Sequence, residues 1–515
     1  MTHLAAGMRR RAEADFRAAI ALDPPNLKAD YGLIMLLLAE NLVDRAQQAA
    51  AQAEQRRPAD PEAHMLKGVV AGAAGNANGA REAFRHAAEI DPGFFPAIDE
   101  LVRMDIQEGK LEPARKRIHD VLRRNGTHHD AMLAMVRIES AAGRQPESLT
   151  WARQAAAAHP GSMHAMLALA EAQLAAGEVR EAVVAASQAW KERSGDARAL
   201  RVLGRVQMAA KDYIGAAATF GSLVRVQPGA ADAQLLLASA HIAGGDLIAA
   251  TAATRNALKR EPRNTEARAM LGDLLLQRKL YGEALDLARQ IQRDSQRSTL
   301  GFRLEGEALL AQGDARRALK AFEAAVKIEP SGQLLAKVHG ASSVALAGPA
   351  SEASLEDWVR RNPEDRETRM YLADALSAKG RHKDAIAHFL ELVRRDPKDA
   401  RALNNLAWAM HASGDPKALD YAEQAYLLSP AEPAVLDTYG WIQVNHGRLH
   451  EGIQMLLKAV TLDGKNPEIR YHLAKALAQA GDKARARTEL RAVLAAGKPF
   501  PQADEARALL TSLGN

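Results

Sequence analysis

The sequence predicts an all-α protein, a right-handed α-solenoid of helix-turn-helix repeats, and three regularities lead there. Proline stands at Pro24, Pro58, Pro92, Pro160, Pro228, Pro262, Pro330, Pro363, Pro397 and Pro430, at steps of 33 or 34 residues or twice that. Turn formers such as Gly126, Gly195 and Gly464 hold missing beats. A second series runs in phase about 17 residues later: Gly7, Gly75, Gly109, Gly143, Gly177, Gly245, Gly313, Gly380, Gly414, Gly447 and Gly481. Between these marks, small and bulky apolar residues recur at helical spacing.

Residues 61–94 show how one unit is built. Pro61 opens the first helix, where its missing N–H costs nothing. Gly68 lets the paired helices come close, and Gly75 ends the first helix in the left-handed conformation. The second helix starts near Gly79 and sets Ala80, Phe84 and Ala87 on one face. Asp91-Pro92 closes it, because the residue before proline is pushed out of the helical region. The small position recurs as Gly204, Gly272, Gly306, Gly340 and Gly440. The second-helix alanine recurs as Ala114, Ala182, Ala216, Ala250, Ala284, Ala318, Ala385 and Ala486, and its bulky partner as Phe220, Phe322 and Phe389.

The frame divides the chain into residues 1–25, the second helix of a truncated half repeat; residues 26–498, about 14 tandem repeats; and residues 499–515, a capping helix. Because Gly7 falls at the mid-repeat turn, residues 1–6 read as the tail of a helix whose beginning lies upstream. The unit at 331–363 is degenerate, with Gly348-Pro349 a candidate bend. After Lys498, Pro499-Phe500-Pro501 breaks the chain, and Asp504, Glu505 and Arg507 suit the outer face of a cap.

Composition narrows the function. The chain has 515 residues, 4% aromatic and 25% charged, and a net charge of only +5. That balance gives no ground for nucleic-acid binding. Without cysteine, disulfides and thiolate metal sites are excluded. No apolar run approaches the roughly 18 residues of a transmembrane helix, and the first residues lack a secretory signal pattern. As written, the chain reads as cytoplasmic.

No phosphate loop, zinc helix or nucleophile elbow occurs, so the reading is non-enzymatic, with no cofactor or metal. His128-His129-Asp130 is the nearest approach to a metal cluster, at the start of a helix where polar residues are ordinary.

A unit of this length, split by glycine and closed by proline, resembles the tetratricopeptide (TPR) repeat. The resemblance implies a scaffold for other proteins or peptides, with the second, fifth and ninth positions of each first helix facing a concave groove. In the N-terminal half those positions hold Arg103, Arg137, Arg198, Arg201 and Arg205, which suit carboxylates of a peptide or an acidic polysaccharide. Acidic Asp99, Asp130 and Glu171 share that wall, so a solvated mixed-charge face is the alternative. In the C-terminal half, Trp408 and Trp441 are joined by Asn404, Asp437, Tyr471 and Lys475. These suit sugar stacking, an apolar peptide anchor, or packing between neighbouring first helices. Of the carboxylate clamp of chaperone-binding members only Asn405 is present; Ala434 and Thr438 replace the basic pair.

Residues 364–511 carry the phrases Leu403-Asn-Asn-Leu-Ala-Trp408, Asp415-Pro-Lys-Ala-Leu-Asp-Tyr-Ala-Glu423, Val435-Leu-Asp-Thr-Tyr-Gly-Trp441, Pro467-Glu-Ile-Arg-Tyr-His-Leu-Ala474 and Gly497-Lys-Pro-Phe-Pro-Gln-Ala-Asp-Glu-Ala-Arg507. These are similar to the TPR lipoprotein of exosortase and PEP-CTERM sorting. That family begins with a longer, lipidated N-terminus, which this sequence lacks. The similarity implies a periplasmic, membrane-anchored scaffold whose partners belong to an envelope complex for exopolysaccharide and protein export. It identifies no ligand residues. A polysaccharide guide and a cytoplasmic peptide adaptor are the other readings.

Overall fold

A computed structural model describes residues 9–345, 352–497 and 500–514, with side chains from residue 11 onward. The expectations at Gly7, at the Gly348-Pro349 bend and at Lys498-Pro499 lie outside the described residues. Among the described residues there are 30 helices and no strand. The fold is an all-α solenoid of helix pairs.

The repeat follows from local chemistry. In the specimen unit, Asp60 accepts the Glu62 N–H and Pro61 begins the helix Pro61–Ala73. Gly75 then turns the chain at φ 76°, and Asn76 caps the helix Ala77–Ile90 by accepting the Gly79 N–H. Nine further glycines of the mid-repeat series, from Gly109 to Gly481, have φ between 70° and 85°. Three units lack glycine there, and Asn41, Lys211 and Lys279 hold the same left-handed backbone at φ 58–60°.

The small first-helix position works as a seat for an aromatic ring. A Cβ on Gly68 would stand 2.3 Å from the Phe84 ring, and Gly204 and Gly306 meet Phe220 and Phe322 at 2.3 and 2.4 Å. At Gly440 the approach is by backbone, with the Gly452 carbonyl oxygen 2.9 Å from the Cβ position. Each core patch is local. Phe84 packs with Ala80, Ala87, Ala97 and Leu101, and Phe389 with Leu372, Leu376 and Ala385. Burial is therefore supplied by successive helices, as a one-dimensional array requires.

The chain divides into two compact units, Met1–Leu271 and Gly272–Asn515. In the second, Gly332–Ala345 is followed by a helix of only nine residues, Ala353–Arg361. The last helix, Ala503–Ser512, buries Ala506 against Leu490, Tyr471 and Ala474.

Candidate functional site

In the first unit, four successive first helices build one wall: Phe95–Gln107, His129–Ala141, Met163–Ala175 and Ala197–Ala209. A cleft of about 810 Å³ opens along them. Pro96, Asp130, His164 and Arg198, each 34 residues from the last, all line it. Asp99, Glu100, Arg137 and Glu171 add charge, while Leu133, Val136, Ala168 and Ala172 provide apolar surface.

The charges are unevenly matched. Arg137 pairs with Asp99, and Arg103 with Glu100. Glu171 and Arg198 are exposed and have no ion-pair partner among the described residues. The Asp130 carboxylate meets His129 Nδ1 at 2.7 Å, an ion pair only when the imidazole is protonated. His129 Nε2 lies 2.6 Å from the hydroxyl of Ser162, which in turn accepts the Ala165 N–H and caps the next first helix. The cleft is also lined by Gln145, whose Oε1 is buried without a hydrogen-bond partner among the described residues.

In the second unit the corresponding helices are closed on themselves. His472 packs against two indoles, its ring centroid 4.8 Å from Trp441 at 14° and 5.7 Å from Trp408 at 40°. Its Nδ1 donates to both Asp437 carboxylate oxygens, at 2.9 and 3.0 Å. Tyr471 donates its hydroxyl to Glu505 at 2.8 Å, and Lys475 Nζ stands 5.4 Å above the Trp441 ring and 5.6 Å above Tyr471. Asp437, Trp441 and Tyr471 are only 8%, 8% and 3% exposed, so these side chains offer no open platform. Nearby, burial beside His446 and His472 pushes the His411 imidazole below its usual range.

Sequence profiles described as tetratricopeptide repeat match residues 3–69, 202–253, 245–298, 347–418 and 445–511. The chain is a tetratricopeptide-repeat protein. Among solved structures, this TPR protein is similar to YrrB, titled a TPR protein with an unusual peptide-binding site, at 19% identity over 37% of this chain and 96% of that one, TM-score 0.31. It is also similar to the APC/C hetero-tetramer Cut9–Hcn1, at 12% identity over 94% and 95%, TM-score 0.40. A third likeness is to Naa15/Naa10 bound to HypK-THB, at 14% identity over 99% and 95%, TM-score 0.36. No curated protein matches. The profiles indicate no catalytic family. Among the described residues no helix is long and apolar enough to cross a membrane, and no three metal-binding side chains converge.

Two expectations about this TPR protein change. The arginines form no free cationic wall: Arg137 and Arg198 reach the cleft, Arg103, Arg201 and Arg205 do not line it, and Arg201 is held by Asp232 at 2.7 Å. Carboxylates neutralise three of the five, Glu100 from the same helix as Arg103, and Asp99 and Asp232 from the first helix of a neighbouring repeat. Two of the aromatic faces are covered: His472 lies on the Trp441 ring and Lys475 stands over Trp441 and Tyr471, while Trp408 is half-buried beside His472. Asn404 donates to Asn405, and Asn405 donates to Asp374 at 2.8 Å, so the one clamp-like residue is engaged within the protein.

Sequence reading also missed a buried polar row. Asp105 and Glu139, 34 residues apart, are 1% and 3% exposed. Arg81 donates to Asp105 at 2.5 Å and Arg117 at 3.1 Å. Arg115 donates to Glu139 through two nitrogens at 2.7 and 3.0 Å, and its guanidinium is held above its ordinary value chiefly by that contact. The signal was in the chain: arginine 24 residues ahead of an acid, twice. One repeat on, Leu149 replaces the arginine and Gln173 the acid.

Proposed function

We propose that this protein is a non-enzymatic scaffold that holds a peptide segment of a partner protein in the first-unit cleft. One observation supports the reading: residues at the same repeat position line one cleft in which Glu171 and Arg198 lack ion-pair partners among the described residues. The TPR assignment supports a protein or peptide as the occupant. Photoreactive crosslinking tests it. A crosslinker at position 168 should trap a protein in cells of origin, and Ala168→Trp, which fills the cleft, should abolish capture by a crosslinker at position 133. Trapping only from positions in the second unit would overturn this placement.

The C-terminal phrases support a finer reading, in which the partner belongs to an exopolysaccharide and PEP-CTERM export complex of the cell envelope. Its alternative is a cytoplasmic peptide adaptor. Identification of the crosslinked protein separates them: an envelope component supports the first, and a cytoplasmic chaperone alone removes it.

A further inference from the structure

We propose that the segment accepted by the first-unit cleft is cationic, an extended stretch carrying Arg or Lys side chains separated by apolar residues. The proposal rests on the cleft being the peptide site and names the chemistry it selects. Four carboxylates line the cleft, Asp99, Glu100, Asp130 and Glu171, against two guanidiniums, Arg137 and Arg198. Arg137 is already spent on Asp99, and Arg103, outside the lining, on Glu100. Glu171 has no counter-ion among the described residues, and Asp130 has only a histidine neighbour.

A guanidinium or ammonium carries donors only, so it pairs with the Asp130 and Glu171 carboxylates, whereas an acidic side chain is repelled by them. The apolar surface at Leu133, Ala168 and Ala172 suits the methylene stems of Arg and Lys. Arg198, at the far end of the row, favours a carboxylate at that end of the segment.

Fluorescence anisotropy with short labelled peptides tests the inference. Three peptides share one apolar pattern and carry Arg, Gln or Glu at the same positions. The Arg peptide should bind tightest, and its affinity should fall steeply as salt rises from about 0.05 M to about 0.5 M. The double variant Asp130→Asn, Glu171→Gln should weaken the Arg peptide about fivefold or more and leave the Gln peptide unchanged. Should that variant melt early, the wild-type comparison of Arg with Gln peptides decides alone. Equal or tighter binding of the Gln or Glu peptide, still lost in Ala168→Trp, would overturn cation selection and leave the cleft as the site. Binding of none of the three would overturn both.

Discussion

The imidazole of His472 lies nearly flat on the indole of Trp441, with centroids 4.8 Å apart and planes 14° from parallel. The two residues come from consecutive first helices, Pro433–Asn445 and Pro467–Gln479, and Asp437 on the first of these accepts the His472 Nδ1–H. Stacking and hydrogen bond therefore join the same two repeats. Trp441→Ala should destabilise the second unit by about 3–5 kcal/mol, since it empties a packed aromatic site. Chemical denaturation followed by Trp408 fluorescence would measure this. Peptide binding in the first unit should be untouched.

The buried Asp105 is a second structural joint. Asp105→Ala removes the acceptor shared by Arg81 and Arg117, partly exposed cations of which Arg81 keeps Glu108, and should cost about 1–3 kcal/mol. Replacing Arg81 and Asp105 together with leucine, the residue that Leu275 and Leu309 supply at the aspartate's position in later repeats, should recover most of that loss. A double-mutant cycle by urea unfolding checks both values; an additive cycle would mean that the ion pair does not hold the repeats together.

Lys211 and Lys279 adopt the left-handed backbone that glycine holds elsewhere. For a residue with a Cβ that conformation costs about 1–2 kcal/mol. Against it stands glycine's greater loss of chain entropy, about 0.5–1 kcal/mol. Each Lys→Gly replacement should therefore raise stability by about 0.5–1 kcal/mol, read as a rise in the urea midpoint with unchanged slope.

The reverse holds at Gly68, whose added methyl would meet the Phe84 ring at 2.3 Å. Helix propensity favours alanine there by about 1 kcal/mol, yet overpacking against a buried ring costs about 1–3 kcal/mol. Gly68→Ala should come out destabilising, and Phe84→Leu in the same chain should cost less than it does alone. Thermal melts of the three variants decide the sign.

Burial, and then the hydrogen bond to Glu505, push the Tyr471 phenol above its ordinary value. In the unfolded chain this phenol ionises near pH 10, whereas in the folded chain it keeps its proton. Stability from this group is thus fully present below about pH 10 and is lost as pH rises toward the higher folded value. Tyr471→Phe should flatten that alkaline decline. Absorbance titration of the phenolates, paired with melts between about pH 9 and pH 11, would show it.

Much of the architecture was legible before any coordinates. The glycine series marked the left-handed turns from Gly75 to Gly481, and Gly68 was readable as a point of close helix approach, because periodicity and backbone conformation are local properties written residue by residue; that the Phe84 ring fills that approach came from the structure. The candidate site was legible only as a set of positions. That Asp130, His164 and Arg198 share a wall follows from their 34-residue spacing. Which charges remain unpaired does not. Arg137 reaches across a repeat to Asp99, Arg201 to Asp232, and Trp441 is covered by His472 and Lys475; these pairings depend on side-chain reach between helices. The sequence alone determined the repeat, its turns and the small positions where its helices come close. Tertiary structure decided which of two similar-looking rows stayed open and which closed, because exposure is set by the neighbours a side chain meets and not by the residue that carries it.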